Sequence, residues 1–211
     1  MVEKPRTKPG PDRHHLGFAD AVSEAFGFLL GRGFRLVELS DTFARYETNR
    51  RFVRVFHGRG SYELGVEIGR WIEIDGTLHE QFFPLRDVVS LTTDLDTIGF
   101  GGTSATTEES VRKFITRLAA WTEQYGLELA ANGDGLFDQL SQRNAARGAA
   151  DRDVQRARLL RARADEAWRA QDFANVVNAY GEIDSELASV TLSASERAKL
   201  NYAVKALGKG S

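Results

Sequence analysis

From Tyr62 to Gly69 the chain alternates strictly: Tyr62, Leu64, Val66 and Ile68 are apolar, and Glu63, Gly65, Glu67 and Gly69 stand between them. A period of two sends alternate side chains to opposite faces of a strand, so one face is buried and the other wet. Three earlier runs share that character: Phe34–Leu39, Thr42–Glu47 and Arg51–His57. They are joined through Ser40-Asp41, Thr48-Asn49-Arg50 and Gly58-Arg59-Gly60. Connections this short force antiparallel neighbours, which predicts a four-stranded meander. Trp71–Ile74 either prolongs the fourth strand or opens a fifth, and Asp75-Gly76 is a turn signal.

Helical spacing flanks the meander. Phe18, Val22, Ala25, Phe26 and Leu29 make one apolar stripe over Gly17–Leu30, stopped by Gly31 and Gly33. Leu85–Leu91 suits a short helix, and Thr92–Thr106 reads as a loop. Thr106 and Glu109 fit a capping box ahead of a long helix with Val111, Phe114, Ile115, Leu118, Thr122 and Tyr125 on one side. The long helix is expected beside the first, both covering the sheet. The expected fold class is therefore α+β, a two-layer sandwich of helix, meander and long helix over residues 15–143.

Residues 1–14 hold Pro5, Pro9 and Pro11 among basic residues and read as a disordered arm, without the apolar segment of a secretory signal. Asn144–Asp151 reads as an Ala- and Gly-rich connector. Residues 150–211 then read as an all-α unit. Its stripes are Ala157, Leu160, Ala164, Ala167 and Trp168, then Phe173, Val176, Val177, Tyr180 and Ile183. A last helix opens at a Ser193/Glu196 capping box.

The run from Ala167 to Tyr180 resembles the centre of a tetratricopeptide repeat, with Phe173 and Tyr180 at the aromatic positions and Trp168 beside them. Val176 departs from the family's alanine, and Ala170 or Gln171 from its glycine. One such repeat implies a helical hairpin with an interface at Trp168, Phe173 and Tyr180 that docks on the first domain or makes a homodimer. Residues 28–34, Arg45-Tyr46-Glu47 and Tyr62–Gly69 resemble uncharacterised small actinobacterial α+β proteins. Some proteins of similar shape are immunity proteins that neutralise toxins, a likeness of fold alone.

Composition narrows the chemistry. The 211 residues contain no cysteine, and 28 Lys and Arg nearly balance 30 Asp and Glu. Thiolate metal sites, disulfides and cysteine nucleophiles are excluded. No run approaches the roughly 20 apolar residues of a membrane-spanning helix, so no membrane contact is expected, and the lack of a secretory signal makes a cytoplasmic location the expectation. His14, His15, His57 and His79 form no chelating pattern. Glu63 and Glu67 would lie about 7 Å apart on one strand face, a span suited to acid–base work, yet on the face where carboxylates are ordinary. Asp94 and Asp96 lack the full calcium-loop series, and Gly99–Ser104 lacks the lysine of a phosphate loop. No catalytic residue, cofactor or metal is assigned.

Charge is unevenly spread. Residues 63–109 carry ten acids against Arg70 and Arg86, while residues 31–60 and 143–169 are each basic by four. Pairing of Arg45 and Arg54 with Glu47, Glu63 and Glu67 across the sheet accounts for part of this. The expectation is a non-enzymatic protein-interaction module. Glu63, Glu67, Glu73, Asp75, Asp94 and Asp96 would face a partner protein, most concretely a basic toxin. The alternative is a nucleic-acid-associated regulator using the arginine-rich helix 152–169, made less favourable by the acids interspersed there.

Overall fold

A computed structural model describes residues 16–58 and 60–208. The expected basic arm, His14, His15 and Arg59 lie outside the described residues. The chain divides into two compact units, Met1–Leu140 and Ser141–Ser211.

The first unit is α+β. Helices α1 (Phe18–Ala25) and α2 (Phe28–Gly31) replace the single helix expected, and Gly33 leaves α2 with a left-handed φ of 86°. Five strands follow: β1 (Arg35–Leu39), β2 (Phe43–Glu47), β3 (Arg51–His57), β4 (Leu64–Ile74) and β5 (Thr77–Pro84). They form one antiparallel sheet in the order β1-β2-β3-β4-β5. The sheet has one strand more than expected. Trp71–Ile74 prolongs β4, and Asp75 and Gly76, at φ 50° and 75°, turn the chain directly into β5. Two successive left-handed residues are what a tight hairpin needs to match strand twist, and Asp-Gly tolerates them.

Helices cover one face of the sheet. These are α3 (Leu85–Val89), α4 (Glu108–Trp121), a π-helical turn (Thr122–Gly126) and α5 (Leu127–Asn132), together with α1. Ala44, Tyr46, Val53, Val55, Val66, Ile68 and Phe83 meet Phe18, Val22, Val111, Ile115 and Leu118 in one core. Arg112 on α4 pairs with Glu24 on α1, consistent with the two helices lying side by side. The α4 cap is Thr107 with Ser110, one residue beyond the expected Thr106/Glu109 box. Strand β1 is exposed along its whole length and lies at the sheet edge.

Asn144–Asp151, expected as a connector, is helical. Helix α6 runs unbroken from Asp134 to Arg169. Alanine-rich sequence has high helix propensity, and the isolated Gly148 is tolerated within it. In the second unit α6 is followed by α7 (Phe173–Glu186) and α8 (Ala194–Gly208). Gln171 at φ 56° makes the turn, and the Asp172 side chain caps α7 by accepting from the Asn175 amide. Arg156 pairs with Glu182 and Glu186, whereas Arg163 meets Asn175 near the turn, so α6 and α7 are antiparallel. Arg161–Glu196 and Lys199–Asp165 hold α8 alongside α6. Ala157, Ala164, Val176, Tyr180, Ile183 and Ala203 are the buried centre of this unit.

Candidate interaction face of the sheet

The face of the sheet turned away from the helices is not an open hydrated surface. Phe52, on this face, is wholly buried although it lies outside the helix-packed core. Its ring lies over Gly69, its cross-strand partner, where a Cβ would run into the ring. Phe56 lies over Gly65, its own partner, in the same way. The two glycines interposed in the β4 alternation are therefore seats for aromatic rings.

Two guanidiniums close over Phe52. The Arg45 and Arg54 carbons each lie 4.5 Å from its ring centroid. Arg45 also reaches the Trp71 ring at 5.4 Å, and Arg54 the Phe82 ring at 5.0 Å. Arg45 and Arg54 are direct cross-strand partners, a placement that repels unless anions intervene. Glu80 intervenes: Oε1 accepts from Arg45 Nη1 at 2.8 Å, and Oε2 accepts from Arg54. Glu47 accepts from Arg45 Nε, and Glu67 pairs with Arg54 at 3.6 Å. Burial, then the neighbouring Arg45 charge, lower the Arg54 pKa below its ordinary value. Burial raises the Glu67 pKa, against the pull of Arg54. The result is a desolvated layer of rings and paired charges. Exposed Leu78 and Phe82 lie on this same face, 64% and 41% accessible.

The six acids named from sequence are not gathered into one patch. Glu67 lies in this layer. Glu63 falls just before β4, exposed and bridged to Ser104, and does not share the Arg45/Arg54 network. Glu73 lies on the same sheet face near the far end of β4, and Asp75 in the turn beyond it. Ten strand residues separate Glu63 from Glu73, about 33 Å by the rise per residue. Asp94 and Asp96 are exposed in the loop after α3, where Asp94 accepts from the Asp96 amide at 3.1 Å. Glu63 also lines a hollow of about 420 Å³ under the Gly101-Gly102 loop; Glu67 does not, so no carboxylate pair converges there. Phe52, Trp71, Phe82 and Glu80 were not singled out from sequence. Apart from the paired glycines, nothing local marks them: Phe52 and Trp71 depend on contacts across β2, β3 and β4, and Glu80 and Phe82 on β5.

In the helical unit, Tyr180 is buried and its hydroxyl donates to Asp165 at 3.4 Å. Trp168 and Phe173 stand edge-on at 6.0 Å, and both meet the exposed Tyr202 ring, at 5.5 and 5.6 Å. Three of the six arginines in 152–169 are drawn into pairs: Arg156 with Glu182, Arg161 with Glu196 and Arg163 with Asn175. Among the described residues no helix is long and apolar enough to cross a membrane. No family model, curated protein or solved structure matches this chain.

Proposed function

We propose that the chain is a non-enzymatic protein-interaction module and that the outer face of its sheet is where the partner docks. The observation that carries this reading is the Phe52–Arg45–Arg54 layer, which meets exposed Phe82 and shares its sheet face with exposed Leu78. Aromatic and arginine side chains, already desolvated and held rigid, are the residue types that anchor protein interfaces. The face carries Glu38, Glu47, Glu67, Glu73 and Glu80 against Arg35, Arg45 and Arg54, so its net charge is negative. A basic partner that brings an apolar side chain to Phe82 fits this face best. A basic toxin neutralised in the cytoplasm is the most concrete such partner. Two antiparallel helices and a third alongside the first support the tetratricopeptide-like reading of residues 150–211. Trp168, Phe173 and Tyr180 are structural there, and Tyr202 adds an exposed ring.

The test compares the full chain with F82S and E73K variants as bait in extracts of the native host. Loss of one basic partner by both variants, with D94N/D96N retaining it, supports the reading. Equal retention by all variants, or no basic partner, overturns it. The nucleic-acid alternative is disfavoured because Arg156, Arg161 and Arg163 are already engaged within their unit.

A further inference from the structure

At one end of the sheet, the β2–β3 turn, the middle of β4 and the first turn of α6 enclose two adjoining hollows of about 470 and 500 Å³. Both are lined by Asn49, Arg50, Arg51 and Asp134; Arg70 completes one and Arg35 the other. Arg51 is only 7% exposed, unusual for a charged side chain. It and Arg70 stack on one ring, their guanidinium carbons 5.1 and 4.9 Å from the Phe137 centroid.

Both arginines aim at one point. Asp134 Oδ1 accepts from Arg51 Nη2 at 2.5 Å and from Arg70 Nη1 at 3.1 Å. Those bonds hold the Asp134 carboxyl below the usual carboxylate range. Its side chain is nonetheless 67% exposed, so the carboxylate caps the arginines from the solvent side. Asp138 accepts from Arg70 Nη2 at 2.6 Å. Arg50, exposed at the rim of both hollows, has no ion pair among the described residues. Arg50, Arg51 and Arg70 against Asp134 and Asp138 leave the first hollow a positive excess of one, and Arg35 in the adjoining hollow raises it to two. Trp71, Ile72 and Leu78 supply an apolar wall to one hollow.

We propose that this hollow binds a small phosphomonoester. Its phosphate takes the place of the Asp134 carboxylate between Arg51 and Arg70, Arg50 closes on it, and the ester group lies against Trp71 and Leu78. The converging guanidiniums show the position an oxyanion occupies, and arginine forks suit phosphate oxygens. A phosphate near −2 at neutral pH matches the excess charge. A second carboxylate would only repeat what Asp134 already provides.

The full-length chain is titrated calorimetrically at low ionic strength with phenyl phosphate and with inorganic phosphate. Phenyl phosphate is expected to bind more tightly than inorganic phosphate, and L78S to abolish that difference. R50Q, at an exposed turn position, is expected to weaken phenyl phosphate about tenfold, as loss of one charged hydrogen-bonding group implies. D134N, which removes the competing carboxylate, is expected to tighten it. Unchanged affinity in R50Q, or no binding by either wild type or D134N, overturns the site. Equal affinity for the two probes overturns the ester-binding wall and identifies inorganic phosphate as the ligand. Unaltered thermal unfolding of each variant separates these results from misfolding.

Discussion

The outer end of the Phe52 ring occupies the space that a Cβ would take at Gly69, the residue directly opposite it on β4. Only a residue without Cβ allows this contact. Glycine weakens a strand by exposing backbone and adding freedom to the unfolded chain, and a cross-strand aromatic ring offsets both by covering the gap. Gly69→Ala is expected to destabilise the first unit by about 1–3 kcal/mol, the usual range for overpacking. Urea unfolding followed by tryptophan fluorescence measures it. Combining Gly69→Ala with Phe52→Leu should recover part of the loss relative to the sum of the two single changes; strict additivity would show that the ring and the Cβ do not compete.

Glu80 is the anion that lets Arg45 and Arg54 stand opposite each other. Glu80→Gln removes the shared charge and leaves two half-buried guanidiniums facing one another. The expected loss is about 1–2 kcal/mol, discounted for the partial exposure of the pair. Arg54→Met, which removes one of the repelling charges, should reduce the penalty of Glu80→Gln in a double-mutant cycle.

Helix α4 depends on its first turn. Thr107 Oγ1 accepts from the Ser110 amide at 3.2 Å, and Ser110 Oγ accepts from the Thr107 amide at 3.0 Å. Thr107→Ala is expected to cost about 1 kcal/mol, the typical value of an N-cap. Thr106→Ala, at the neighbouring position, should leave the urea midpoint unchanged.

The helical unit should weaken in acid at one identifiable place. Burial tends to raise the Glu196 pKa, but hydrogen bonds from Arg161 and from Ser193 outweigh it and hold the carboxyl below its ordinary value. A group with a lowered folded-state pKa contributes stability above its unfolded pKa and loses it as pH falls through the folded one. Amide exchange at the start of α8 is therefore expected to accelerate as pH drops below about 4.5, after correction for intrinsic exchange rates. Glu196→Gln should remove that acid-dependent step.

Much of the fold is legible in local sequence pattern. Four strands, the Asp75-Gly76 turn, the long α4 stripe and the Ser193/Glu196 box all follow from short-range rules, and each is present. Strand β5 is not legible. Thr77–Pro84 does not alternate cleanly, because Leu78 and Phe82 face the solvent side while Phe83 faces the core. Missing β5 hid Glu80, and with it the reason Arg45 and Arg54 tolerate each other. The burial of Phe52 was hidden too. Gly65 and Gly69 gave only the period, and nothing in β4 says that rings from β3 lie on them. The unbroken α6 was obscured by Gly148, whose modest local penalty the helix around it absorbs.

Strand β1 exposes Leu36, Val37 and Leu39 on an edge that has no further strand among the described residues, and its register with β2 slips between Leu36 and Glu38. An apolar edge of this kind is ordinarily a template for runaway stacking of like chains. The slip kinks the template, so an incoming strand meets a break in the ladder before it can zip along the full length. An irregularity of this kind disfavours strand addition, and a deletion at Val37 that straightened β1 is expected to speed fibril formation, read by thioflavin T fluorescence.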